Sequence, residues 1–295
     1  MATAVACALA LTACGGDGGD NDSTSTRADE GIWGYFNSND YFSSDNGGQL
    51  EMQAVILSDG SYWGVYGGNM DGFFSATGIL HGAASINGGD ASGTYMNVSF
   101  GIFTTLGASS GNIFSGTYTG TASAQHSLNL TFNEAPQEDP VNISGLSGNS
   151  FSMSYDNIYN QPASLSSIAG NYQQASTGTP SVPPIIFPNG GIQSPPPGYP
   201  ITYNLSISGS SLSLVESDNG NVVMTGTIAP HGTVNVFDVN LTTTANTATA
   251  GPFDSNLPSG TVYKGILFQT SGALKNNIEI VAAAGNSALF YMGTK

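Results

Sequence analysis

ILSDGSYWGV at residues 56–65 and SISGSSLSLV at 206–215 are the stretches on which the fold turns. In each, a short run of apolar and small polar residues reaches a glycine flanked by serine or aspartate, then returns as a second such run. That is the pattern of two antiparallel strands joined by a tight connection. Similar strand-length runs recur outward from them: QAVILS at 53–58, YMNVSF at 95–100, HSLNLTF at 126–132 and SFSMSY at 150–155. Glycine, 40 residues in all, punctuates the chain between the runs. Long stretches of 3.6-residue periodicity are missing, so the chain is expected to be all-β.

The two opening stretches also sit in matching surroundings. GIWGYF at 31–36 is echoed by AGNYQQ at 169–174, TGILHG at 77–82 by TGTIAPHG at 225–232, and SGTYTGTAS at 115–123 by SGTVYKGIL at 259–267. Each copy closes with two further strand-like runs, 127–133 with 150–155 and 277–282 with 287–292. Four blocks in one order, mostly 144–150 residues apart, imply two homologous domains. The expected fold is two tandem small antiparallel β-barrels, lipocalin-like meanders of seven or eight strands each, with a sandwich as the alternative. The division is placed as 31–162 and 163–295, at DNIYNQPASLSSIAG (156–170), where Pro162 breaks an extended run. Trp33, Tyr35 and Tyr172 open the two copies and are assigned to closing the barrel floors.

The second copy carries an insertion, GTPSVPPIIFPNGGIQSPPPGYP at 178–200, holding eight of the fourteen prolines. It is expected to be an extended loop between the first two strands of that domain. Ile185, Ile186, Phe187 and Tyr199 make it the candidate partner-binding surface, because apolar side chains on a stiff segment lose less entropy on binding.

Before the domains, residues 1–13 are uncharged and rich in Ala, Leu and Val, which marks a signal peptide too short to span a bilayer permanently. Leu11-Thr12-Ala13-Cys14 resembles the bacterial lipobox. The resemblance implies cleavage before Cys14, acylation of its sulfur by palmitate-type chains, and anchoring to the outer membrane, since Gly15 rather than aspartate follows. The first basic residue is Arg27, so the positive segment of the signal is expected upstream of Met1. Residues 14–30, including GGDGGDNDSTSTRADE (15–30), read as a lipidated, disordered tether. GGDGGDND matches one glycine-aspartate repeat of calcium-binding β-rolls, but those sites form between stacked copies, so no metal is expected. The junction at 156–170 with the following Gly-Asn-Tyr resembles that of uncharacterised two-repeat β-rich outer-membrane lipoproteins of Gram-negative bacteria. A weaker similarity is to the small barrels of surface lipoproteins that bind host proteins, as in the transferrin-receptor lipoproteins; neither resemblance brings an activity with it.

Composition narrows the partners. Lys and Arg total 4 against 20 Asp and Glu, a formal charge of −16. The cations Arg27, Lys264, Lys275 and Lys295 are scattered, so nucleic acid is excluded and an anionic lipid surface would repel the chain. If Cys7 leaves with the signal and Cys14 is lipidated, no disulfide, thiolate nucleophile or cysteine metal site remains.

Catalytic patterns are thin. Gly107-Ala108-Ser109-Ser110-Gly111 satisfies G-x-S-x-G, but a nucleophile elbow needs a helix after it, and NIFSGTYTG reads as a strand. His81, His126 and His231 show no metal spacing; His81 and His231 occupy matching places before a glycine and are assigned a repeated structural role at a turn. Glu134, Glu138 and Asp139 lie in NEAPQEDP, read as a solvated loop. No cofactor is expected. Two function classes remain: a surface binding or adhesion lipoprotein for a protein or glycan, with filled barrels, and a periplasm-facing carrier of an apolar small molecule, with a hollow barrel. An enzyme is the least supported class.

Overall fold

The structure, a computed structural model, describes residues 27–41, 49–70, 73–99, 112–134, 146, 148–174, 185–186, 203–217, 219–244, 259–271, 277–285 and 287–295. Eight strands occupy the first copy: β1 (Gly31–Tyr41), β2 (Gln49–Ile56), β3 (Ser61–Met70), β4 (Phe73–Asn87), β5 (Asp90–Ser99), β6 (Asn112–Ser123), β7 (Ser127–Glu134) and β8 (Ser150–Tyr155). Each pairs antiparallel with the next, and β8 returns to β1 through Trp33 opposite Tyr155, which closes a barrel. A 3-10 turn, Asn157–Asn160, and a one-turn helix α1, Leu165–Ile168, lead to the second copy.

There the strands are β9 (Gly170–Gln174), β10 (Ile185–Ile186), β11 (Tyr203–Ser208), β12 (Ser211–Glu216), β13 (Val222–Pro230), β14 (Val236–Thr243), β15 (Val262–Gln269), β16 (Asn277–Ala284) and β17 (Ser287–Thr294). β9 and β11 to β17 close a second eight-stranded antiparallel barrel through β17 and β9, and β10 adds to β17. The all-β, two-barrel expectation is what the chain forms, and the sandwich alternative falls because both sheets close on themselves. The matched blocks land on strands of equal rank: 31–36 on β1 and 169–174 on β9, 56–65 on the β2–β3 hairpin and 206–215 on β11–β12.

Alternation along the strands builds each core. Met52, Ala54 and Ile56 of β2 point inward with Leu128, Leu130 and Phe132 of β7, and all are buried. The second interior is filled by residues such as Leu205, Leu214, Leu241, Leu267 and Ile280. In the first barrel three tyrosine rings lie over the glycines opposite them: Tyr66 over Gly78, Tyr95 over Gly116 and Tyr118 over Gly93. Each ring lies where a β-carbon on its glycine would be, so the glycine makes room and the ring covers the backbone it exposes.

A third apolar cluster lies between the barrels. Ile32, Val55, Val65, Ile79 and Val98 on the outer wall of the first meet Val236, Ile266, Phe268, Val281, Ala288 and Met292 on the outer wall of the second. Two polar residues are buried on these walls: Gln53 alternates with Ala54 on β2, and Glu279 sits on β16 between Phe268 and Met292 of its neighbours. The barrels therefore stand wall to wall as one body.

Three corrections to the sequence reading follow. Residues 27–30, assigned to the tether, are docked on the first barrel: Arg27 holds the fully buried Asp29 through two hydrogen bonds of 3.0 and 2.9 Å, and Trp33 Nε1 donates to the Asp29 carbonyl at 2.8 Å. The proline-rich segment, expected as an extended loop, contributes a two-residue strand, Ile185–Ile186, that pairs with β17; these residues retain N–H donors between Pro184 and Pro188. His81 does not precede a turn, because β4 continues to Asn87 and turns at Gly88-Gly89.

Candidate functional site

Strand alternation sorts the connections onto two ends. At one end lie mostly short connections: 57–60, 88–89 and 124–126 in the first barrel, 209–210, 231–235 and the seven-residue 270–276 in the second. Gly88 and Gly89, at φ 59° and 100°, make the two-residue turn between Asn87 and Asp90, a conformation whose positive φ values suit the twist of paired strands. At the opposite end lie the longer connections 42–48, 100–111 and 135–149, and in the second barrel 175–202 and 244–261. Shorter links, 71–72, 217–221 and 285–286, share that end.

The chain enters at the turn end. Arg27 Nη2 donates to the carbonyl of Ala84 at 2.9 Å, beside the β2–β3 turn, and Glu30 accepts from Tyr159 Oη at 2.8 Å. Both barrels have their turn ends on the same side, because contacts between turn-end residues tie them together. Asp156, at the end of β8, accepts from Ser271 N at 2.7 Å and Ser271 Oγ at 2.6 Å, and Asn235 N donates to the Tyr159 carbonyl at 2.9 Å. Asp59 is also near His231. Burial opposes ionisation of Asp59, but hydrogen bonds from Ser61 and attraction to His231 and Arg27 outweigh it, so its carboxyl lies below the ordinary value. The strand ends that carry the long connections of both barrels consequently lie on the same side, opposite the entry of the N-terminal segment.

The mouth of the first barrel at the long-connection end carries a polar chain that the sequence did not announce. Tyr66 Oη donates to Asn97 Oδ1 at 3.1 Å, and Asn97 Nδ2 donates to Glu134 Oε1 at 2.8 Å. Asn97 is fully buried, and Tyr95 lies close to the same carboxylate, its hydroxyl pKa pushed up by burial and then by Glu134. Glu134, assigned to a solvated loop, is instead the last residue of β7, on the inward row with Leu130 and Phe132. Period-two counting from Leu128 would have found it.

Of the sequence candidates, Ile185 and Ile186 form β10, while Cys14, Phe187, Tyr199, Ser109, Glu138 and Asp139 lie outside the described residues. Trp33 and Tyr172 are buried near the turn end, the latter donating to the Ile168 carbonyl at 2.8 Å; the Tyr35 side chain is outside the description. His81 stacks on Trp63, ring centroids 5.2 Å apart, and burial holds its pKa below the ordinary histidine value. His231 Nδ1 lies 2.9 Å from Asp238 Oδ1. No group of three or more metal-ligating side chains occurs among the described residues, and no described helix is long and apolar enough to cross a membrane.

No family profile matches the chain, and no curated protein does. Among solved structures, a putative outer membrane protein of Bacteroides fragilis aligns over 90% of this chain and 97% of its own, at 15% identity and a TM-score of 0.23. A score that low carries no argument about this chain.

Proposed function

We propose that the chain is a lipid-anchored envelope protein serving as a surface binding module, with the connections at the long-loop end as its contact surface for a protein or glycan. One observation carries this reading. The N-terminal segment, with Cys14 upstream of it, meets the molecule at the turn end, and the strand ends that carry the longest connections of both barrels, 100–111, 135–149, 175–202 and 244–261, lie at the other end. An anchor there leaves the long connections facing outward, and loops held by a rigid scaffold are where recognition residues concentrate. The carrier reading gains no comparable support, because aromatic and branched side chains occupy both interiors. With a charge of −16 and few cations, the acyl group is the credible means of attachment.

Metabolic labelling with an alkyne-bearing palmitate tests the anchor. The full chain expressed in a Gram-negative host should take the label and sediment with outer membranes, and Cys14→Ser should lose both properties. A label retained by Cys14→Ser, or a wild-type chain recovered only in the soluble fraction, would overturn the proposal.

A further inference from the structure

Three side chains from three neighbouring strands meet at the rim of the cluster between the barrels. Trp63 of β3 is the register partner of His81 of β4, and His81 is in turn the register partner of Met96 of β5. They stand two positions along their strands from Val65, Ile79 and Val98, so all three share the outer face, where Trp63 and Met96 pack against the cluster. Directly opposed residues on one face of an antiparallel pair have β-carbons about 4.5–5.5 Å apart. The thioether of Met96, carried on a flexible unbranched chain, therefore reaches the edge of the imidazole. On its other side the imidazole is held by Trp63, which stacks on it with ring centroids 5.2 Å apart and planes 23° apart. Among the described residues no hydrogen bond or charge shifts the His81 pKa; burial lowers it, which favours the neutral ring with a free nitrogen lone pair. His231 differs, because its Nδ1 lies 2.9 Å from Asp238 Oδ1.

We propose that His81 and Met96 form a binding site for a soft monovalent metal ion of the Cu(I) and Ag(I) class, held between an imidazole nitrogen and the thioether sulfur. Thioether sulfur selects such ions, and imidazole suits copper, whereas magnesium, calcium and manganese need oxygen donors. No group of three or more His, Cys, Asp or Glu side chains gathers among the described residues to favour a harder divalent ion. Stacking on Trp63 orients the imidazole before the ion arrives, which lowers the ordering cost of binding. A single positive charge is also the cheapest to bring beside an apolar cluster.

The probe is silver nitrate in chloride-free buffer, titrated into the purified whole chain carrying Cys7→Ser and Cys14→Ser, so that no thiol competes for the ion. With isotope-labelled methionine methyl groups, the resonance that is lost in Met96→Leu should shift until one equivalent of silver has been added. Titration calorimetry should give micromolar affinity, weakened at least tenfold in Met96→Leu, a nearly volume-conserving change, and in His81→Gln. His81→Met, which restores a soft donor, should recover the loss, and His231→Gln should leave the affinity unchanged. Zn(II) should bind at least tenfold more weakly than Ag(I). A Met96 methyl resonance that does not move in excess silver, an affinity unchanged by both Met96→Leu and His81→Gln, or tighter binding of Zn(II) would overturn the proposal. The methyl shift is read on the parent side chains, so it decides the matter even where a variant fails to fold.

Discussion

Single residues in the first barrel separate steric from conformational roles of glycine. At Gly120 a methyl group would press on the carbonyl oxygen of Asn129, and backbone cannot swing aside as a side chain can. Gly120→Ala should therefore cost about 1–3 kcal/mol in denaturant unfolding. Gly88→Ala meets open space and pays only for its φ of 59°, about 1 kcal/mol. The tyrosines give a second contrast. Tyr62 Oη and Tyr118 Oη are buried with no hydrogen-bond partner among the described residues, whereas Tyr291 Oη donates to the carbonyls of Tyr172 at 3.0 Å and Tyr203 at 3.3 Å. Tyr62→Phe should be neutral or stabilising, and Tyr291→Phe should lose about 1–2 kcal/mol by the same measurement. His81 supplies a pH signature. Because burial lowers its folded pKa, the unfolded chain takes up the proton first, and stability falls as pH drops below the unfolded value of about 6.5. Thermal melts at pH 8 and pH 5 should differ less for His81→Gln than for the parent. Asp59, with a lowered pKa, loses its contribution only as pH falls below the carboxylate range, a separate window.

Asp156 shows how elements are fixed to one another. Its carboxylate caps the 3-10 turn through Ile158 N at 3.0 Å and also holds Ser271 of the other barrel. Asp156→Ala should cost about 2 kcal/mol, one helix cap plus a charge-assisted hydrogen bond between partly exposed groups. At this scale the strands were legible because turn glycines and period-two runs mark them twice over, once in each copy. Less legible were features that need a partner strand to be seen. Gly82 precedes no turn; it lies mid-strand opposite Tyr95, and the register that shows this is not written in the local pattern TGILHG. Glu134 was hidden by the prolines that follow it in NEAPQEDP, which drew the last residue of β7 into the loop.

For the whole molecule, the cluster between the barrels is the feature that the sequence expressed most faintly. Its trace is a loss of alternation: Ala54, Val55, Ile56 and Leu57 are all apolar and all buried, because β2 has a barrel core on one face and the second barrel on the other. Two separate beads were the simpler reading of the repeat. With its own core, each of the isolated segments 27–162 and 163–295 should still give a β-type circular dichroism spectrum and a cooperative melt. Each should also expose its half of the shared wall, melt lower than the full chain, and form a one-to-one complex with the other in sedimentation velocity. Two monomers that ignore each other would contradict the shared wall.

Everything functional in this account depends on which end of the paired barrels faces outward. Single cysteines placed at Ser259, exposed at the long-connection end of the second barrel, and at Gln125, exposed in a turn-end connection of the first, report on it directly. Intact cells expressing each variant are treated with a membrane-impermeant maleimide. Ser259→Cys is expected to label in intact cells, and faster than Gln125→Cys, which lies on the anchored side. Labelling of Ser259→Cys only after the outer membrane is opened, or faster labelling of Gln125→Cys, would contradict the outward-facing loop end.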